Sequence, residues 1–97
     1  MTQGQQYYSG QQQQQRRRGP GGHHAITGAV NAGGLVRVTA TAHTFSTGNV
    51  VDITGVQGTV EANRTGWTIT VIDASTFDLV GSAFVNAYVS GGVASLQ

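Results

Sequence analysis

"GWTITVIDASTFDLV", residues Gly66 to Val80, alternates apolar and polar side chains on either side of a short polar break. Trp67, Ile69 and Val71 fall on one face, Thr68 and Thr70 on the other. Successive side chains of an extended chain point to opposite faces, so a period of two marks a strand with one buried side. Beyond the break, Phe77 and Leu79 flank Asp78 in the same rhythm. Asp73 and Ser75 supply turn chemistry, because short polar side chains bond the nearby backbone. The stretch predicts a tight hairpin that turns its aromatic and aliphatic residues into a core. Trp67 leads that face and reads as core or interface; the competing role is a platform on which a ligand stacks.

The period continues outward. "LVRVTATA", Leu35 to Ala42, sets Val36, Val38, Ala40 and Ala42 against Arg37, Thr39 and Thr41. "VVDIT" buries Val51 and Ile53 while Asp52 points out. Turn-forming clusters separate these runs at Asn31–Gly34, Ser46–Asn49, Asn63–Gly66, Asp73–Ser75 and Ser90–Gly92. Further strands are expected over Ile26 to Val30 and near Val93 to Leu96. No ten-residue window carries a helical stripe. With 15 glycines besides, the reading is all-β: a small barrel or sandwich of about six short antiparallel strands.

The segment "QQYYSGQQQQQRRRGPGGHH", Gln5 to His24, is of another kind. It holds a glutamine tract, three arginines, glycines around the only proline, and no aliphatic residue. Such a composition buries too little surface to offset the entropy of ordering. Residues 1–24 therefore read as an extended arm ahead of a β-domain over residues 25–97. Gly19 to Gly22 form a flexible joint, and His23 and His24 a polar hinge.

Charge is sparse and divided. The arm holds Arg16, Arg17 and Arg18; the body holds Arg37 and Arg64 against Asp52, Glu61, Asp73 and Asp78, and the chain has no lysine. The body is not a basic nucleic-acid-binding surface. Any grip on phosphate must come from the arm, where three cations neutralise few phosphates and binding would be weak and salt-sensitive. With no cysteine, disulfides and thiolate metal sites are excluded. A domain this small gains only marginal stability from its core, so oligomerisation or docking is the remaining common reinforcement. No segment reaches the roughly 20 apolar residues of a membrane span. The N-terminus lacks the apolar stretch of a signal peptide, which predicts no secretion by that route. Asn63-Arg64-Thr65 matches a glycosylation sequon but reads as a turn.

Catalytic patterns are missing. His43 with Asp52 and a serine suggests a triad, yet there is no G-x-S-x-G elbow and the serines lie mostly in turn-like or low-complexity segments. His43 reads instead as a turn-flanking structural residue. His23, His24 and His43 are candidate metal ligands only across a symmetry axis, because adjacent histidines of an extended chain point opposite ways. The four carboxylates are scattered and read as solvated turn acids; Asp73 and Asp78 make no glycosidase pair by spacing alone. Gly19 to Gly22 lack the lysine and spacing of a phosphate-binding loop. The expectation is a non-enzyme without metal or cofactor.

One longer pattern is more specific: a strand ending in threonine, then "HTFSTGN", "VVDITGVQG", an "EAN", "WTITVIDASTFDL" and a closing "YVSGG", within Val36 to Gly92. It resembles a β-module recurrent in tail and other virion proteins of tailed bacteriophages. That module is commonly labelled as similar to the first catalytic cysteine half-domain of ubiquitin-activating enzymes. Asn49 stands where the module usually has aspartate; either side chain can cap the turn. An activating enzyme needs a catalytic cysteine and an adenylation fold, and this chain has neither the cysteine nor the room, so the label implies a barrel-like shape.

The resemblance implies a structural component of a phage particle, assembled in the host cytoplasm. A capsid decoration or cement protein is the leading expectation, because a single small module with an arm suits stapling a lattice. A tail, baseplate or head-to-tail accessory subunit is the alternative, and nucleic-acid contact through Arg16 to Arg18 a further one. A carbohydrate- or host-binding module fits less well, since the loops are short and poor in aromatics. The expected partners are other virion proteins, major capsid or tail subunits, with homo-oligomerisation. Tyr7 and Tyr8 supply compact anchors, Arg16, Arg17 and Arg18 clamp acidic groups, and the glutamines bond alongside another chain's backbone.

Overall fold

The structure, a computed structural model, describes residues 22–97. Seven strands follow in order: β1 (His23–Ala25), β2 (Gly28–Ala32), β3 (Leu35–Thr39), β4 (Val50–Thr54), β5 (Arg64–Asp73), β6 (Thr76–Leu79) and β7 (Val93–Leu96). The single helical element among the described residues is a 3-10 turn, Val60–Ala62. All pairings are antiparallel, in the order β1-β7-β4-β5-β6-β3-β2, and the sheet curls into a half-barrel. The fold is all-β and barrel-like, as the period-two pattern requires.

The hairpin of Gly66 to Val80 is the centre of this sheet. Ile69 pairs with Leu79 and Val71 with Phe77. Asp73 closes the turn by accepting at Oδ1 from the N–H groups of Ser75 (2.8 Å) and Thr76 (2.9 Å). Trp67, Ile69, Phe77 and Leu79 are buried together with Val36, Val38, Ala40, Val51, Ile53 and Ala94. Each fully buried large apolar side chain contributes about 1.5–3 kcal/mol. β2 and β3 are joined through Gly33 and Gly34, both left-handed at φ +61° and +98°. That backbone suits the twist of a two-residue hairpin and is open to glycine without strain.

The half-barrel closes at a seam between β1 and β2. Ile26 N–H donates to Gly92 on the β7 side, and Thr27 N–H donates to Thr39 on the β3 side. One extended segment thus changes partners within two residues. Thr27 and Gly28 together face Thr39, the two-against-one count of a bulge, which bends the strand there. The remaining gap is spanned by the long β6–β7 loop. Phe84 N–H donates to Gly34 at the hairpin tip, and the Tyr88 hydroxyl reaches Ile26 (3.2 Å) and Gly91 (3.0 Å) carbonyls.

Several local expectations change. His23 and His24 do not form a hinge: they are the first residues of β1, in register with Ser95 and Ala94. The second strand begins two residues later than expected, at Gly28. Asn63 to Gly66 is not a turn, because β5 already starts at Arg64 and the reversal is made by Gly55 to Asn63. The strand from Leu35 ends at Thr39, and Ala42 is exposed in a left-handed turn rather than facing the core. After Ala40 N–H bonds to Ser75 the chain must leave the sheet to carry His43 inward.

Candidate functional site: an apolar platform on the seam loop

Among the described residues most side chains that could carry chemistry are engaged in holding the fold, while His24 Nε2 is buried without a hydrogen-bond partner. His43 is buried at 1% exposure. Its Nδ1 accepts from Phe45 N–H (2.9 Å), which leaves the proton on Nε2 to be donated to the Asp73 carbonyl (2.8 Å). The ring stacks on Phe45 and meets Phe77 edge-on. Asp52, the notional triad partner, instead accepts from Gly66 N–H (2.9 Å) and the Gln97 amide (2.8 Å). His23 Nδ1 pairs with Ser95 Oγ, and the His24 ring lies edge-on to Phe45, so the two point apart. No group of three His, Asp or Glu among the described residues is placed to hold a metal ion.

Asp78 departs furthest from the expected solvated acid. It is buried on β6 and forms a two-pronged pair with Arg37 of β3, at 2.7 and 3.1 Å. The cross-strand register Arg37↔Asp78 makes this pair, and the guanidinium fork matches both oxygens. Trp67 is core, 3% exposed, with its indole N–H donating to Ala62 and the Arg64 guanidinium 3.6 Å above its ring. Asn63, the sequon asparagine, has both ends of its amide bonded to the Val56 backbone. It mimics a strand partner there.

Several large apolar side chains also face outward, Val30, Ile72, Val80, Val93 and Leu96 among them. Val85 and Val89 on the seam loop and Val60 on the 3-10 turn are 72%, 70% and 54% exposed. The backbone beneath them is firmly held. Glu61 accepts at Oε2 from the N–H groups of Val85 (2.6 Å) and Asn86 (2.8 Å), and at Oε1 from the Asn86 amide (3.0 Å). Desolvation pushes the Glu61 carboxyl up, but these donors outweigh it and hold its pKa at about 2. The buried Thr59 hydroxyl donates to the Asn86 carbonyl, and Gln57 and Val89 pair through their backbones. Gly58 lets the two segments touch: a Cβ there would lie 2.2 Å from the Ala87 carbonyl oxygen. Exposed aliphatic groups brought near one another in this way make a candidate contact surface.

Tyr7, Tyr8, Arg16, Arg17 and Arg18, the contact residues expected from sequence, lie outside the described residues. The valine platform was not foreseen. Its trace in the sequence is "FVNAYV", Phe84 to Val89, where both alternating sets contain large apolar groups. Phe84 and Tyr88 pack on the core, which leaves Val85 and Val89 outside.

Among curated proteins none matches the chain significantly. The family described as the ubiquitin-activating enzyme E1 FCCH domain matches residues 31–97, from within β2 through β7 and across the whole platform. The match extends the pattern first noticed over Val36 to Gly92 at both ends. It covers more than half of the chain, and the protein belongs to the ubiquitin-activating enzyme E1 FCCH domain family.

Proposed function

We propose that this chain is a non-enzymatic structural component of a bacteriophage particle, foremost a capsid decoration protein, tethered to neighbouring subunits by its N-terminal arm. The observation that carries this reading is the use of the domain's polar groups. His43, Asp52, Glu61, Asp73 and Asp78 all serve the fold, while large apolar side chains, Val85 and Val89 foremost, are left outward. A barrel of this kind acts by being held in place. The arm supplies what the barrel lacks: tyrosine anchors, glutamine amides and a cationic run.

The test uses purified particles. Deleting residues 1–22 is expected to release the protein, while the full chain stays bound through high salt. Retention of the deleted form on particles, or a full-length protein that never associates with them, would overturn the reading. Density for the chain on an intact particle separates a capsid position from the alternative tail, baseplate or neck position. Release of the full chain by moderate salt, together with a steep salt dependence of DNA binding abolished by replacing Arg16 to Arg18, would favour nucleic-acid contact instead.

A further inference from the structure

Val60, Val85 and Val89 have no partner assigned by the barrel, and the arm has no acceptor assigned by the sequence. We propose that each describes the other: the platform of one copy receives the Tyr7-Tyr8 stretch of a second copy's arm. This deepens the tether reading and rests on it.

Four observations support that occupant. The platform is small. Three partly exposed valines fall well short of the roughly 800 Å² per partner of a standard interface, so platform packed on platform would not hold a pair of copies together. A short extended segment is matched to such an area. The second observation is supply. Phe45, Trp67, Phe77, Phe84 and Tyr88 are packed in or against the core; the sequence's other two such aromatics are Tyr7 and Tyr8 of the arm, a residue type that brings large apolar area to a contact.

Reach is the third. The described chain begins at Gly22, so about fourteen residues separate it from Tyr8; extended at roughly 3.3 Å each they span on the order of 45 Å, enough to meet a neighbouring copy. Charge is the fourth. The arm's cations belong to Arg16, Arg17 and Arg18, whereas the domain carries more carboxylates than arginines. Donor and acceptor are different parts of the molecule, so the contact is head to tail. It builds rings or open chains of copies rather than closed pairs.

Full-length protein tests this in three forms: wild type, the double variant Val85→Ser and Val89→Ser, and the double variant Tyr7→Ser and Tyr8→Ser. Sedimentation velocity at rising concentration is expected to show wild type as a growing series of oligomers. Each variant alone should associate at least about tenfold more weakly, the loss expected when an interface anchor is removed. An equimolar mixture of the two variants should form a one-to-one pair and nothing larger, because one supplies the arm and the other the platform. Circular dichroism melting should be unchanged by the valine substitutions, since both side chains are exposed.

Self-association of the tyrosine variant would overturn the proposal, as would a monomeric wild type or a mixture that forms no pair. If the mixture fails while deletion of residues 1–22 still frees the protein from particles, the arm engages another virion protein: this proposal falls and the tether reading stands. If deletion frees nothing, the tether reading itself falls.

Discussion

His43 enters the core between two residues in the left-handed region, Ala42 at φ +52° and Thr44 at φ +59°. That backbone costs an L-residue about 1–2 kcal/mol, and a β-branched one is a marked outlier. The two ring hydrogen bonds and the stacking on Phe45 are what hold the strained turn shut. His43→Leu would leave Phe45 N–H and the Asp73 carbonyl unpaired. It is expected to cost about 2–4 kcal/mol in urea unfolding. Ala42 is exposed, so Ala42→Gly should raise stability by about 0.5–1 kcal/mol, since glycine adopts this backbone freely. Acid acts at Glu61. Its folded pKa of about 2 lies below the ordinary 4.5, so its contribution is complete above pH 4.5 and is lost as pH falls towards 2. Asp73 is also lowered, by the Ser75 N–H first, and loses stability in the same direction. Glu61→Gln should therefore lower the melting temperature at pH 7 and flatten, without abolishing, its fall between pH 4.5 and 2.

The strands that formed as expected are those whose pattern is local. The β5–β6 hairpin needs only its own alternation and Asp73, and both are visible in sequence. β1 was missed because three residues show no period, and its partner β7 lies some seventy positions away. Asp78 was misplaced because alternation puts it outside, and only the register with Arg37 covers it. Polar turn residues misled at Asn63, whose amide serves Val56 rather than a tight reversal. The platform depends on two loops meeting, and nothing in a one-dimensional pattern reports that meeting. Gly58 is where it can be tested. A methyl group there would collide with the Ala87 carbonyl and the Val89 N–H at 2.2 and 2.5 Å, on backbone at φ +89°. Gly58→Ala should cost about 3 kcal/mol or more, or displace the seam loop. Faster hydrogen exchange at Val85, Asn86 and Val89 would report displacement, and unchanged exchange with unchanged stability would contradict the packing described.

β7 is last in sequence among the described strands, yet it sits between β1 and β4, in register with both. Ala94, fully buried, is its inward residue; Leu96 N–H bonds to Gly22 and Gln97 N–H to Val50. The half-barrel therefore cannot close until the final strand is in place, and its two halves share one core. A domain of this length is expected to have only about 4–11 kcal/mol of net stability, so losing one ladder on each side of β7 leaves nothing to spare. Removing residues 93–97 should abolish cooperative unfolding rather than lower its midpoint. In the intact chain, Trp67 fluorescence from β5 and far-ultraviolet circular dichroism should give coincident urea transitions. The amides of Ile53 and Ala94 should exchange only through global unfolding. Separate transitions for the two probes, or a truncated chain that still melts sharply, would mean that the β5–β6 hairpin with β3 and β2 is a stable unit by itself. The β1–β7 pairing would then be an accessory clasp at the root of the arm, and tension on the arm could open it without unfolding the rest.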